Sequence, residues 1–277
     1  MKRLCVVLLV FSLSLAAQAA LGLVEDFEAF TVPINPDGQL CTGVLGGFWD
    51  TESEATGNTS IEAKDGSNVI RFMTTSGTGS VSGRGVAFAG IDKPIENDSS
   101  GTLFFRFTIR TDTQVVRSYF GMHTRTGTNP LDSTRTNNPA GAIAAGFAAL
   151  DNGQGGFDIK TTDGATTLLA GLARSQWYNV WIVADNVNDI FDLYISEAAG
   201  PGSGVPTATP DIAYLIADDL PFGFSTTSAL TGGMFVCPAA TDGQSSRTYI
   251  DDIYWEIPEP ATLTLLGIGI LGLLRRR

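Results

Sequence analysis

The sequence predicts an all-β body, an antiparallel jelly roll or β-sandwich, that lies between two targeting segments. Short runs of β-branched and aromatic residues alternate with clusters of Gly, Asn, Asp and Ser. No long stretch has the 3.6-residue period of an amphipathic helix. A body of about 235 residues with strands at this spacing fits one sandwich better than two domains.

Nine segments have the composition and alternation of strands. Within 102–110, four apolar residues share one face: Leu103, Phe105, Phe107 and Ile109. The other face is mostly polar, which predicts a strand with one face in the core and one in solvent. Residues 185–189 predict a hairpin turn. The predicted strands are 69–73, 85–88, 102–110, 118–123, 142–150, 157–161, 177–185, 191–196 and 249–257, and the predicted surface loops are 125–141, 200–210 and 226–233.

The N-terminus has the parts of a secretory signal peptide. A basic start precedes an apolar run at 4–15, and the small residues Ala17 and Ala19 form a cleavage site. Cleavage there makes 1–20 the signal peptide. An uncleaved membrane anchor is the alternative, and both interpretations predict export.

The C-terminal segment predicts a single transmembrane helix. Pro258-Glu259-Pro260 precedes an apolar run at 261–274, and Arg275-Arg276-Arg277 follows it. Cations at one end of an apolar segment stay on the cytoplasmic side, which places the body outside. Fourteen helical residues span about 21 Å against a hydrocarbon core of about 30 Å, so a buried core helix is the alternative. Snorkelling arginines and local bilayer thinning allow the short span.

These three ordered elements resemble the PEP-CTERM sorting signal of Gram-negative bacteria. The resemblance implies that an exosortase-type membrane peptidase reads and removes the tail. It also implies an intermediate anchored in the inner membrane, which is then delivered to the cell surface or the extracellular matrix. Members of this family are usually associated with exopolysaccharide production. The predicted organisation is therefore a signal peptide at 1–20, a body at 21–257 and a sorting tail at 258–277.

A second resemblance covers most of the body. Asp26-Phe27-Glu28 opens the mature chain, a Trp-Tyr-Asn-Val-Trp-Ile-Val run occupies 177–183, and a Tyr-Ile-Asp-Asp-Ile-Tyr-Trp run occupies 249–255. This order is similar to concanavalin-like or laminin-G-like jelly rolls. In that superfamily functions range from glycan binding to glycan hydrolysis to plain structure, so the fold does not settle the function.

This second resemblance also implies a structural calcium ion between the first and last strands. Oxygen ligands suit such a hard cation. Strict alternation places Asp251 and Asp252 on opposite faces, so we expect at most one of them to be a ligand. The alternative is that these acids only flank strands. The candidate ligands are Asp26, Glu28 and Asp251, with Glu25 and Asp252 as further matching positions.

Removal of the two targeting segments makes the chain more acidic. The whole chain has 17 basic and 29 acidic residues and a net charge of −12. Five basic residues and one acidic residue lie in the targeting segments, which leaves 12 basic and 28 acidic residues in the body. Such a surface argues against nucleic acid, which requires clustered cations. It suits a solvated extracellular surface, which is the commoner interpretation, and it also suits a cation-dependent adhesion.

Two cysteines of the body are candidates for a disulfide. Export brings Cys41 and Cys237 into an oxidising compartment. They lie near opposite ends of the body, where a sandwich often brings its first and last strands together. Closing so long a loop would stabilise the fold by about 4–5 kcal/mol in the chain-entropy model. Two separate free thiols are the alternative.

The chain lacks the usual catalytic motifs. It has neither a Gly-x-Ser-x-Gly elbow nor a His-Glu-x-x-His helix, and the Glu-x-Asp-x-Glu strand of laminarinase-like jelly rolls is absent. His123 is the sole histidine and predicts a surface or packing residue. With 28 acidic residues in the body, no carboxylate pair stands out as a glycosidase dyad. We therefore expect no enzymatic activity.

Aromatic residues are the candidates for a glycan platform. Trp177 and Trp181 share strand parity with Val183, which favours core packing for Trp181. Trp49 precedes Asp50, Thr51 and Glu52 and predicts an exposed loop position. Core packing is the alternative for each of these rings.

The sequence thus predicts an exported, non-enzymatic binding or adhesion module associated with exopolysaccharide. An inert structural surface protein is the second interpretation, and a glycan hydrolase or lyase is the third. Two carboxylates in a cleft would favour the third interpretation.

Overall fold

The computed structural model describes residues 20–52, 59–74, 84–111, 116–126, 130–131, 139–204, 206–207, 209–238 and 246–257. These residues form two antiparallel β-sheets that pack face to face, with two short 3₁₀ turns at Pro139–Gly141 and Ile212–Tyr214. The strands are β1 (Ala20–Glu25), β2 (Phe48–Glu52), β3 (Thr59–Lys64), β4 (Ser67–Thr74), β5 (Arg84–Ala89), β6 (Ser100–Ile109), β7 (Arg117–His123), β8 (Ala145–Asp151), β9 (Phe157–Thr161), β10 (Thr167–Leu172), β11 (Trp177–Asp185), β12 (Ile190–Ala198), β13 (Leu215–Pro221), β14 (Gly232–Cys237) and β15 (Ser246–Ile257).

Apart from Ala20, which begins β1, both predicted targeting segments lie outside the described residues. These are the signal peptide, with Ala17 and Ala19, and the tail from Pro258 to Arg277. Across the described ranges, every helical segment is too short or too polar to span a membrane.

The eight-stranded sheet has the order β13-β12-β11-β6-β15-β4-β3, and β1 also pairs with β15. The seven-stranded sheet has the order β10-β9-β8-β7-β14-β5-β2. The edge of β15 changes partner along its length, since 246–250 pair with β4 and 253–257 pair with β1. This change of partner creates a junction of three strand segments.

The core lies between the sheets and is built by alternation. The four apolar residues predicted on one face of β6 all point into it. Two of these residues, Phe105 and Phe107, pack with three further rings, Phe120, Phe147 and Phe235, at centroid distances between 4.8 and 6.4 Å. The predicted all-β sandwich is therefore confirmed, as is the hairpin at 185–189, where Asp185 pairs with Ile190.

The prediction that the second face of β6 lies in solvent is wrong, because that face is also covered. Phe104, Arg106 and Thr108 are all buried. The described residues of 199–211, which we call the strap, are hydrogen-bonded to this face of the sheet. Arg106 Nη2 donates to Gly204 O at 2.7 Å, and Trp181 Nε1 donates to Thr207 O at 3.0 Å. Trp181 is therefore buried on the outer face of the sheet and not in the central core.

The predicted disulfide does not form, and both cysteines are free and buried. Cys41 donates its N–H to Gly47 O, beside the start of β2. Cys237 pairs with Arg84 of β5, and the next residue of β5, Gly85, pairs with Glu52 at the end of β2. The length of β2, about 16 Å at 3.3 Å per residue, therefore separates the two positions. Burial raises the pKa of both thiols.

Candidate functional site

Acidic side chains gather where β15 exchanges β4 for β1. Ser67 Oγ lies 2.5 Å from Glu28 Oε1 and 3.2 Å from Asp251 Oδ2. Glu28 also accepts the Asn68 N–H at 2.9 Å, and its own N–H donates to Asp26 Oδ1 at 3.2 Å. We call Asp26, Glu28, Ser67, Asp251 and Asp252 the acidic junction. The structure thus brings two of the three predicted calcium ligands to one hydroxyl, with the third beside them.

The expectation that Asp251 and Asp252 point to opposite faces is wrong. A β-bulge interrupts the pairing of β15 with β6 between Asp251 and Tyr254, and Asp252 has a φ of 53°. A bulge inserts one extra residue and resets the alternation. Asp252 therefore reaches the outer face, where its carboxylate pairs with Arg106 and accepts the Gly202 N–H at 2.7 Å.

Asp251 is the least satisfied carboxyl of the acidic junction. It is fully buried, and its Oδ1 has no hydrogen-bond partner among the described residues. Burial, followed by the charge of Asp252, raises the pKa of Asp251 to about 8. Ser67 has one hydroxyl proton and cannot donate to both Glu28 and Asp251. A bound proton or a cation at Asp251 Oδ1 would relieve this imbalance.

The acidic junction offers ligands of the type that a hard cation takes, but no three of its described carboxylates come within 4.8 Å of one another in this structure. Carboxylates and a hydroxyl are the ligands that Ca²⁺ takes, and Asp251 Oδ1 is an oxygen without a donor. A different trio, Asp192, Asp218 and Asp219 on β12 and β13, has its ligand atoms within 4.8 Å of one another. Those acids lie on an edge open to solvent, where carboxylates persist without a metal. The buried, unsatisfied oxygen favours the acidic junction.

Glu25 is a structural anchor. Its buried carboxylate accepts the N–H groups of Phe27 and Thr42, both at 2.9 Å, and that of Asp26 at 3.2 Å. It also accepts the Thr42 hydroxyl and, at 3.4 Å, Trp49 Nε1. These donors fix the end of β1 to the segment before β2.

Trp49 is not an exposed glycan platform, and that prediction is wrong. The residue has no solvent exposure, and its ring packs 5.5 Å from Phe27 and 5.7 Å from Phe88. The polar residues after it belong to β2 and not to a loop, so alternation directs Trp49 inward.

An open groove of about 510 Å³ lies beside the acidic junction. It runs between the β3–β4 turn, the start of β11 and the strap, and is lined by Asp65, Ser175, Trp177, Ala199, Gly200, Pro201 and Ser203. Asp65 Oδ2 accepts Trp177 Nε1 at 2.9 Å and Lys64 Nζ at 2.8 Å. These bonds hold the pKa of Asp65 below its usual value. The sequence pattern did not reveal the groove, because the β3–β4 turn and the strap are far apart in the chain and meet only in the folded protein.

A smaller cleft of about 240 Å³ lies between the edges of the two sheets. Phe191 and Phe222, with centroids 6.3 Å apart, provide apolar lining, and Thr161, Thr162 and Asp163 add polar groups. The cleft lies away from the acidic junction, at the turn after β9.

His123 is a neutral packing residue. It is fully buried, its Nε2 lies 3.0 Å from Phe88 O, and its Nδ1 accepts the Arg125 N–H at 3.0 Å. Burial lowers its pKa to about 4. The ring connects β7 to β5 across Gly232 of β14, so the packing interpretation is correct and the surface interpretation is wrong.

Comparison with protein families assigns residues 256–277 to the PEP-CTERM protein-sorting motif. The chain carries a PEP-CTERM sorting signal. The signal implies export, membrane-anchored sorting to the cell surface and recognition by exosortase. The match begins two residues before the predicted tail, inside β15.

No curated protein matches the chain in a sequence comparison. Among solved structures, a botulinum neurotoxin DC binding domain has a TM-score of 0.46 and 12% identity over 91% of this chain and 51% of its own. The chain therefore spans about half the length of that domain. A GH131 β-glucanase catalytic domain from Podospora anserina has a TM-score of 0.45 and 12% identity, over 74% of this chain and 81% of its own. The Emp47p carbohydrate recognition domain has a TM-score of 0.43 and 14% identity, over 87% of this chain and 98% of its own.

Proposed function

We propose that this exported surface protein is a non-enzymatic module that binds exopolysaccharide in the groove beside the acidic junction. The observation that carries the proposal is the chemistry of the groove. Asp65 is half-exposed, and both of its described donors bind Oδ2. Its Oδ1 is left to accept sugar hydroxyls in charge-assisted hydrogen bonds. Ser175 and Ser203 add hydroxyls, and Trp177 contributes an apolar wall.

The described lining of the groove has too few carboxyl groups for glycoside hydrolysis, which favours binding without hydrolysis. Glycoside hydrolysis uses two carboxyls about 5–10 Å apart, one of them with a raised pKa. Asp65 is the one carboxyl among the described residues that line the groove, and its pKa is lowered. A protein that only builds the surface layer, without a ligand, is the second candidate. A glycan hydrolase or lyase is the third.

A structural calcium ion in the acidic junction would support the same groove. Asp251 and Glu28, which share the Ser67 hydroxyl, would hold it, and Asp26 would have to move closer to complete the site. The ion would supply positive charge to the buried carboxylates. Asp252 accepts the N–H of Gly202 in the strap, and Gly200, Pro201 and Ser203 line the groove. Order in the acidic junction would therefore be transmitted to one wall of the groove.

The proposed route follows from the sorting signal. The body would be held at the inner membrane of a Gram-negative bacterium by its tail and then transferred by exosortase to the cell surface or matrix. The acidic body would meet polysaccharide there, and no nucleic acid partner is proposed.

Single carboxylate variants test the groove. Asp65→Ala should abolish retention of the purified body on the producing organism's exopolysaccharide, since the acceptor for sugar hydroxyls is lost. Asp185→Ala is the matched control, because Asp185 is also an acid at a hairpin turn with a lowered pKa but lines neither cavity. Retention that survives Asp65→Ala but is lost in Asp163→Ala would place the site in the smaller cleft and contradict the proposal.

A further inference from the structure

Four basic residues gather on the outer face of the eight-stranded sheet. Arg71 pairs with Tyr249 across β4 and β15, and Arg247 alternates to the same face as Tyr249. Arg110 follows directly after β6 and donates its N–H to Arg247 O at 3.3 Å. Lys64 lies over the Tyr249 ring, with Nζ 5.2 Å from the ring centroid. We call Lys64, Arg71, Arg110 and Arg247 the basic strip.

The basic strip stands out because the body is strongly acidic. It holds four of the 12 basic residues of a body that has 28 acidic ones. Its members already have carboxylate partners, since Arg71 Nη1 lies 3.0 Å from Glu62 Oε2 and Lys64 Nζ lies 2.8 Å from Asp65 Oδ2. A guanidinium has five N–H donors, so an arginine with one partner keeps donors for a second anion. The basic strip can therefore receive an anionic ligand without losing the contacts that hold it.

Partial burial makes these cations suitable for binding. The side chains of Arg71 and Lys64 are 19% and 23% exposed, and Arg110 and Arg247 are also half-buried. Charges at such positions are screened less by water and salt than charges on an open surface, and a ligand can still reach them.

The basic strip is continuous with the groove at two points. At one of them, Ser175 in the groove wall donates its N–H to Ile109 O at 2.7 Å, which brings it beside Arg110. At the other, the apolar wall Trp177 packs with Tyr249, whose hydroxyl accepts Arg110 Nη1 at 3.3 Å. A polymer that lies in the groove would therefore extend over the basic strip.

We propose that the groove and the basic strip together bind an acidic polysaccharide. This inference rests on the proposed function and adds the chemical class of its ligand. Carboxylate or sulfate groups of the polymer pair with Arg110 and Arg247, whose planar donors match such oxyanions, while its hydroxyls bind Asp65. The acidic surface elsewhere on the body repels the same polymer. The basic strip thereby determines where and in which orientation the polysaccharide binds.

Paired polymers that differ only in charge test this inference with the full chain in detergent. Polygalacturonate is compared with its carboxyl-reduced product, and dextran sulfate is compared with dextran. The wild type should bind at least one charged polymer about tenfold more tightly than its neutral partner, and the preference should fall between about 50 and 500 mM salt. A preference within the first pair identifies carboxylates as the ligand groups, and one within the second pair identifies sulfates.

Variants that each remove two positive charges locate the binding. Arg110→Gln with Arg247→Gln should weaken binding of the preferred charged polymer about tenfold and leave the binding of its neutral partner unchanged. Lys93→Gln with Lys160→Gln is the matched control, because it removes the same charge from partly or fully exposed positions outside the basic strip. The control should bind all four polymers like the wild type.

Three results would overturn the inference. One is equal binding of charged and neutral polymers by the wild type. Another is an equal loss in the two double variants, because net charge and not the basic strip would then be the cause. The third is binding to none of the four polymers. Retention on the producing organism's exopolysaccharide in any of these cases would leave the proposed function standing, whereas its absence would overturn that proposal as well.

Discussion

Asp251 shows how one buried carboxyl links the stability of this protein to pH. In the presence of a chelator, the free energy of unfolding should fall as the pH rises from about 4 towards 8. The unfolded chain releases this proton near the ordinary pKa of 3.8, whereas the folded chain keeps it to about 8. The unfolded state therefore binds fewer protons across the window, and stability declines with rising pH. Urea denaturation at stepped pH values measures the slope.

A substitution and a ligand should each reduce this dependence of the free energy of unfolding on pH. Asp251→Asn removes the titrating group, and Ca²⁺ supplies the charge that lets the carboxylate ionise in place. Calcium should therefore stabilise the wild type at pH 8 but leave the Asn variant unchanged. An equal slope in the wild type and the variant would contradict the role given to Asp251.

Arg106 is the second residue with a large expected effect. Its ion pair with Asp252 is buried, and the same guanidinium donates to Asn179 Oδ1 at 2.9 Å and to the strap. Arg106→Met should lower the free energy of unfolding by about 3–5 kcal/mol, because it leaves Asp252 buried without its partner. Lys64→Met is the control, since the Lys64–Asp65 pair is much more exposed and should contribute less than about 1 kcal/mol. Similar losses in the two variants, measured by denaturation, would refute this account.

Residue roles were predictable only where alternation is uninterrupted. The inward face of β6 follows directly from period 2. The bulge at Asp252 breaks that period, and the positive φ that produces it leaves no signal in an Asp-Asp pair. Trp49 was misplaced because three polar residues after an aromatic suit a loop as well as a short strand.

At the scale of elements, β14 depends on a glycine that no side chain can replace. A Cβ at Gly232 would lie 1.9 Å from Phe88 O and 3.0 Å from His123 Nε2. Gly232→Ala should therefore destabilise the body by at least about 1–3 kcal/mol through overpacking. Gly200→Ala is the matched control, because a Cβ there meets no atom within 4 Å. Chemical denaturation compares the two variants, and an unchanged midpoint in Gly232→Ala would contradict the close packing of β14, β5 and β7.

Central and edge strands differ in what their sequences reveal. The nine predicted strands all overlap observed strands, because they bury one face or both and show period 2. The missed strands are β1, β2, β3, β10, β13 and β14. Strands β10 and β13 are edges with few buried residues, so their alternation is weak. Strand β14 begins with Gly232 and Gly233, and such a pair is typical of a loop. Here the two glycines allow close packing against Phe88 of β5.

At the scale of the whole molecule, the fold class and the sorting signal were predictable, but the groove was not. The signal is a local sequence and the sandwich is a repeated local pattern. The groove joins Asp65 to Trp177 and the strap, which come more than a hundred residues later in the chain, so their meeting depends on the order of the strands. The acidic junction was partly predictable because it lies where the first and last strands meet.

The central claim is that the body binds exopolysaccharide without degrading it. Light scattering coupled to size-exclusion chromatography, after incubation of residues 21–257 with the producing organism's exopolysaccharide, tests that claim in one measurement. The account predicts that protein co-elutes with the polysaccharide, whose molar mass rises by the mass of protein bound. A fall in polysaccharide mass would reveal a hydrolase or lyase. Separate elution with an unchanged polysaccharide mass would leave an inert structural protein, and either result would contradict the account.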